Sequence, residues 1–282
     1  MSLKIPVVDR VSAYPGRVKM TPVTGETNMY TMERADSPIT EGTLINKALF
    51  DNKAYTLTRD AIVYVSTVGD DANGDGTSAA PYRTIQKAID SIPKHLGGHK
   101  AEISVDFGVY DEKIVVESFT AGRLVIGRPG EVFTINAIDI VNSSYVETNI
   151  YQIDKVTGNT GALFTVKDGS IVFIGSDMIL NGVSGNIVGI TAENGSHVVT
   201  KGDIDVVINN CTVALTAIKC AFVCLATVKG TGNIFGLSAS QGSIVSYSTD
   251  AMEKAWSHNA DSGGLVLTDK NSSDLSGATI EL

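Results

Sequence analysis

Arginine is missing from the last half of the chain. None occurs after Arg128, in a sequence of 282 residues. Cysteine is nearly missing too: Cys211, Cys220 and Cys224 are the full set, with no CxxC pair and no His partner. That count excludes a disulfide framework and a zinc module. No apolar run approaches the ~20 residues that a membrane span needs, and the N-terminus has no secretory h-region. Membrane insertion and signal-peptide export are therefore not expected. Positive charge is scarce: the net charge is −9. Residues 1–60 hold eight Lys/Arg and seven Asp/Glu, so all of the excess acid lies beyond them. An acidic body argues against nucleic acid as a partner. No G-x-S-x-G elbow occurs, and four scattered histidines do not suggest a triad.

What is present is repetition. The stretch from Gly161 to about Ser248 contains one pattern written four times. Aligned, it gives apolar columns Phe164/Ile190/Ile218/Leu237 and Val166/Ala192/Cys220/Ala239. Then come turn columns Gly169/Gly195/Val223/Gly242 and Ser170/Ser196/Cys224/Ser243, and an apolar column Val172/Val198/Ala226/Val245. Spacings of this size mark a solenoid. Apolar residues two apart share one face of a strand, and an Asp/Asn/Gln-Gly-Ser turn lets the chain bend at glycine. Stacked rungs place like residues over like, so each inward column becomes an apolar ladder. The expected fold is all-β, a right-handed parallel β-helix; an irregular β-sandwich is the competitor. Cys220, in an inward column, is expected to act as a small buried hydrophobe.

Residues 1–60 differ, with four of the seven prolines. Two short β-prone pieces, near Arg17–Thr21 and Thr27–Met32, flank Pro22 and a Thr24-Gly25 turn. They are expected to form a small β-rich segment that docks onto something larger. The run Asp36-Ser-Pro-Ile-Thr-Glu-Gly-Thr-Leu-Ile-Asn-Lys-Ala-Leu-Phe50-Asp follows. It resembles a pattern near the start of bacteriophage tail fibre and baseplate-associated proteins, whose N-terminal segment attaches to the virion.

Residues 61–126 form the entry to the solenoid. A strand at Ala61–Ser66 leads to the acidic loop Gly69–Gly76. A helix is expected over 81–92, with Pro81 at its start and Tyr82, Ile85, Ala88, Ile89 and Ile92 as one apolar stripe. This order, with Pro81-Tyr-Arg-Thr-Ile-Gln-Lys-Ala-Ile-Asp and Gly108-Val-Tyr-Asp-Glu-Lys-Ile-Val-Val, resembles the entry to pectin-lyase-like β-helix proteins. The resemblance implies that the helix caps the N-terminal end. Rungs are expected over 127–250, and a C-terminal cap and tail over 251–282.

The site expectations are few. Asp71, Asn73 and Asp75 open like an EF-hand loop, but its twelfth position is Tyr82 and not Glu, so no metal is expected. Asp203 and Asp205, with Asp177 one rung earlier and Lys201 and Lys229 in a shared column, are the only carboxylates offered for glycan cleavage. Trp256, beside His258, is offered as a sugar-stacking or end-plugging residue. Ile171, His197, Leu225 and Ile244 each precede an inward residue and should point outward as a mostly apolar stripe. Such a stripe is a subunit-interface signal, and the resemblance to phage fibres and spikes implies that the assembly is a homotrimer. No cofactor is expected. Together these features imply a structural and adhesive component of a phage or phage-like tail. Its partners would be tail or baseplate proteins, through residues 1–60, and a bacterial surface glycan or receptor. It would be assembled in the host cytoplasm, released by lysis and carried on the virion. The alternative is a polysaccharide lyase or glycoside hydrolase.

Overall fold

The computed structural model describes residues 11–12, 18–22, 30–34, 38–40, 56–154, 161–183, 187–254 and 259–268. It divides into two compact units, Met1–Lys53 and Ala54–Leu282. In the first, Val18–Pro22 pairs antiparallel with Tyr30–Arg34, and Val11–Ser12 with Pro38–Thr40. Residues 56–60 fall within the second unit. The Leu57 N–H donates to the His95 carbonyl at 2.9 Å, and the Asp60 carboxylate accepts from the Lys100 N–H at 2.9 Å.

The second unit is a parallel β-solenoid of about six turns. Each full turn passes through three ladders. The first ladder stacks Ala61–Val65, Lys100–Val105, Arg123–Ile126, Val146–Thr148, Ile171–Ile174 and His197–Thr200. It continues through Phe222–Leu225, Ile244–Tyr247 and Leu265–Thr268. The second runs from Gly108–Val109 through Phe133–Ile135, Gln152–Asp154, Met178–Asn181 and Asp205–Asn209. The third runs from Lys113–Glu117 through Ala137–Val141, Gly161–Lys167, Ile187–Glu193, Val213–Ile218 and Phe235–Ala239 to Asn259–Ala260. All these pairings are parallel, which removes the sandwich. The pattern does not stop at Ser248, because Asn259–Ala260 and Leu265–Thr268 add further strands.

The interior is built from the inward columns. On the first ladder Ala101, Leu124, Val146, Val172, Val198, Val223 and Val245 are all buried, and on the third so are Ile114, Ile138, Phe164, Ile190, Leu215 and Leu237. Each fully buried aliphatic side chain stabilises the fold by about 1.5–3 kcal/mol through area removed from water.

The register corrects the third repeat. Ile190 pairs with Leu215 and not Ile218, Ala192 with Ala217 and not Cys220, and Val198 with Val223 and not Ala226. The cause is the turn between the third and first ladders. Asp168, Asn194, Lys219 and Gln241 all take a left-handed conformation (φ 56°, 54°, 56° and 52°). The next residues are Gly169, Gly195, Cys220 and Gly242, at φ 70°, 69°, 60° and 74°. Cys220 therefore stands where the other rungs use glycine. It is exposed, not buried. Behind the turn, Ser170 and Ser196 are fully buried and donate to the Lys167 carbonyl (2.6 Å) and the Val166 carbonyl (3.0 Å). Ala221, not Cys224, takes this place in the third repeat, and its N–H donates to Ser243 Oγ at 3.0 Å.

The helix spans Ile85–Ser91, shorter than expected at its start. Pro81 and Tyr82 are instead drawn into the sheet edge: the Tyr82 N–H donates to the Tyr64 carbonyl (3.0 Å) and Ser66 N–H to the Tyr82 carbonyl (2.9 Å). Thr84 is the N-cap, accepting from the Lys87 N–H at 3.2 Å. Ile85, Ala88 and Ile89 are buried in the core. Gln86 meets the first strand of the third ladder, accepting from the Val115 N–H (2.7 Å) and donating to its carbonyl (3.2 Å). One side-chain amide thus does the work of a neighbouring strand at an edge that is otherwise open to pairing.

Candidate functional site

Two outward columns of the first ladder give this unit its most differentiated surface. One reads Lys100, Arg123, Tyr145, Ile171, His197, Phe222, Ile244 and Leu265, taking Tyr145 as the residue before Val146. The other reads Ile62, Glu102, Val125, Glu147, Phe173, Val199, Cys224, Ser246 and Leu267. The early rungs are charged and the late rungs apolar.

The charged part is a network of paired groups. Glu102, almost buried, accepts from Lys100 Nζ at 2.6 Å and from Arg128 Nε. Burial pushes its carboxyl up, but the bonds from Lys100 and Arg128 outweigh that and hold it below the usual carboxylate range. Glu147, equally enclosed, accepts from Lys201 Nζ at 2.9 Å, with Arg123 Nη1 at 3.9 Å. Both carboxylates are thus engaged by cations of the same chain, and Glu102, held low, suits a fixed surface and not a proton donor. Sequence reasoning missed this network. Lys100 and Glu102 share one strand face, but Arg128, Arg123 and Lys201 come from other turns, and only the register brings them to these carboxylates.

The apolar part begins where the Tyr145 and Phe173 rings stack at 4.7 Å. His197 and Phe222 follow at 5.7 Å. Ile171, Phe222 and Ile244 are half-buried, and His197, Leu265 and Leu267 are exposed. Leu225, expected in this stripe, is 1% exposed and faces the interior. Phe222 takes its place, by the same three-residue shift that moves Cys220 to the corner.

The carboxylates offered for cleavage lie elsewhere, at the entry to the second ladder. Asp177 precedes Met178, which pairs with Val206, so it stands one rung before Asp205. Its carboxylate accepts from the Asp205 N–H at 2.9 Å. Asp205 is paired with Lys229 Nζ. Asp203 is exposed on the preceding bend and not on the strand that carries Asp205. Lys229 pairs across to Val207, whereas Lys201 reaches Glu147, so the two lysines do not share a column.

The acidic loop is engaged in its own structure. Asp71 accepts from the N–H groups of Arg83 (2.8 Å) and Thr84 (3.1 Å) and from Thr84 Oγ1 (2.8 Å). Asn73 donates to Asp70 at 2.7 Å, and Asp75 accepts from Thr77 Oγ1 at 2.7 Å. Glu112 completes the helix start, accepting from the Ile85 (2.7 Å) and Gln86 (3.0 Å) N–H groups. Burial pushes its carboxyl above the ordinary range, against those two bonds. The three expected residues thus diverge, each toward a different protein partner. Trp256 and His258 lie outside the described residues.

No protein-family model, no curated protein and no solved structure matches this chain.

Proposed function

We propose that this protein is a structural and adhesive component of a phage or phage-like tail. In this reading the N-terminal unit attaches to the tail or baseplate. The right-handed β-helix, capped at its entry by the helix Ile85–Ser91, projects as a homotrimer toward a bacterial surface glycan or receptor. The observation that carries the proposal is the division of the first ladder's outer face. Ile171, Phe173, Val199, Phe222 and Ile244, with His197 among them, form a largely apolar strip on a sheet whose earlier rungs carry the ion pairs of Glu102 and Glu147. Exposed strips of this kind mark protein–protein contacts. The resemblance of residues 36–51 to the attachment segment of tail proteins supplies the biological setting.

The test is the solution mass of the full chain by light scattering on a size-exclusion column. A species near three times 29.7 kDa supports the proposal. A monomer removes its main support and raises the alternative, a glycan-cleaving enzyme acting through Asp177 and Asp205, to be screened on bacterial surface polysaccharides.

A further inference from the structure

We infer that self-association through the first ladder is controlled by the protonation of His197, so that copies of this chain separate in mild acid. The inference rests on the self-association reading above and adds its regulation.

In the two outward columns of the late rungs, His197 is the only ionisable side chain among the described residues other than the thiol of Cys224. The residues in register with it are Ile171 on one side and Phe222 on the other. Its ring lies 5.7 Å from that of Phe222. On its own strand Val199 is the next outward residue. The nearby ionisable groups in the chain are turned to other work or stand at corners. Lys201 is paired with Glu147, Glu193 with Lys167 at 3.5 Å, and Lys219 occupies the left-handed turn before Phe222. No carboxylate faces the imidazole within salt-bridge distance among the described residues.

The geometry says why a second copy covers the strip. Five rungs of about 4.8 Å and two columns that each occupy about 7 Å of strand give a mostly apolar patch on the order of 300 Å². A standard interface takes about 800 Å² from each partner, with an apolar core and a polar rim. The patch has the size of such a core. Lys100, Glu102, Arg123 and Glu147, both signs on one continuous face, supply a rim that is self-complementary between copies. Neutral imidazole packs in this core; imidazolium brings an unpaired charge into it. Imidazole titrates between about pH 5 and 8, so the change falls within a range that neutral and acidified surroundings span.

The experiment is light scattering of the wild type, His197→Phe and His197→Lys at pH 8.0 and pH 5.5, at matched ionic strength. The wild type is expected to associate at pH 8.0 and to weaken about tenfold or more at pH 5.5. His197→Phe should stay associated at both values, and His197→Lys should be a monomer at both. A wild type that is monomeric at pH 8.0 overturns the association reading itself. Association that persists at pH 5.5, or acid dissociation shared by His197→Phe, leaves that reading intact and overturns the role of His197. Circular dichroism on each sample separates dissociation from unfolding.

Discussion

Replacing Cys220 by glycine should stabilise the protein. The residue holds φ 60° in a turn whose counterparts are Gly169, Gly195 and Gly242. An L side chain in the left-handed region costs about 1–2 kcal/mol, while glycine costs about 0.5–1 kcal/mol in unfolded-chain entropy. The side chain gives little in return: Cys220 is exposed, and its thiol makes one long contact of 3.7 Å to the Gln241 carbonyl. The balance is a gain of about 0.5–1 kcal/mol, or roughly 1–4 °C in Tm for a unit of this size. The reciprocal change, Gly195→Ala, isolates the strain, because an added Cβ there meets no atom within 4 Å. It should cost about 0.5–1 kcal/mol, the same strain less the entropy that alanine recovers in the unfolded chain. Differential scanning calorimetry of both variants checks the pair. The outcome also decides the register. If Cys220 were an inward residue, truncating it to glycine would open a cavity and lower Tm. A fall in Tm for Cys220→Gly, with Gly195→Ala neutral, would refute the turn assignment and return Cys220 to the core.

Four further outcomes are expected. Gly189→Ala should destabilise by about 1–3 kcal/mol through overpacking, since its Cβ would fall 2.4 Å from the Ala214 carbonyl and 2.5 Å from Ile208 Cγ2; urea denaturation reads the loss. Phe222→Asp should leave circular dichroism and Tm nearly unchanged while lowering the solution mass, whereas Leu225→Asp, placing a carboxylate in the core, should unfold the chain. Gln86→Ala should cost about 1–2 kcal/mol by freeing the Val115 backbone groups, and should raise aggregation on heating. Because burial lifts the Glu112 carboxyl above its ordinary value, its contribution is present below that value and is lost as pH rises through the raised one. Stability measured upward from about pH 4.5 should therefore fall less steeply in Glu112→Gln than in the wild type, although that variant starts lower because an amide accepts only one of the two helix N–H bonds.

The parallel ladder was legible because rungs repeat their inward residues, so that Phe164/Ile190 and Val172/Val198 align at one spacing. The third repeat misled because its turn is spelled Lys219-Cys220-Ala221 while keeping the backbone of Asp168-Gly169-Ser170. Conformation was preserved where composition was not, and with no glycine to fix the turn the aligned columns stood three residues too far along. That one slip carried Leu225 outward, Cys220 inward and Lys201 beside Lys229. The helix start was misplaced for a different reason: Pro81 and Tyr82 fit a helix locally, but Tyr82 pairs with the open edge beside Tyr64. The pairs of Glu102 with Arg128 and of Glu147 with Lys201 were illegible in principle, unlike the same-strand pair of Glu102 with Lys100. Each joins residues whose proximity depends on how many residues each turn spends, as Lys201 and Glu147 do across 54 positions.

The two kinds of rung on the first ladder differ in what they tolerate from a partner. Ion pairs with both members on one chain, such as Glu102 with Lys100 and Arg128, already have their charges compensated and gain little from a second surface. Half-buried Ile171, Phe222 and Ile244 retain apolar area that only a second surface removes from water. Affinity should therefore reside in the late rungs and orientation in the early ones. Neutralising the early rungs with Glu102→Gln and Arg123→Gln should weaken association less than Phe222→Asp does, while raising the salt concentration should weaken the wild type only slightly. Analytical ultracentrifugation at low and high salt measures both. A larger loss from the early-rung pair than from Phe222→Asp would show that the charges, and not the apolar strip, hold the copies together.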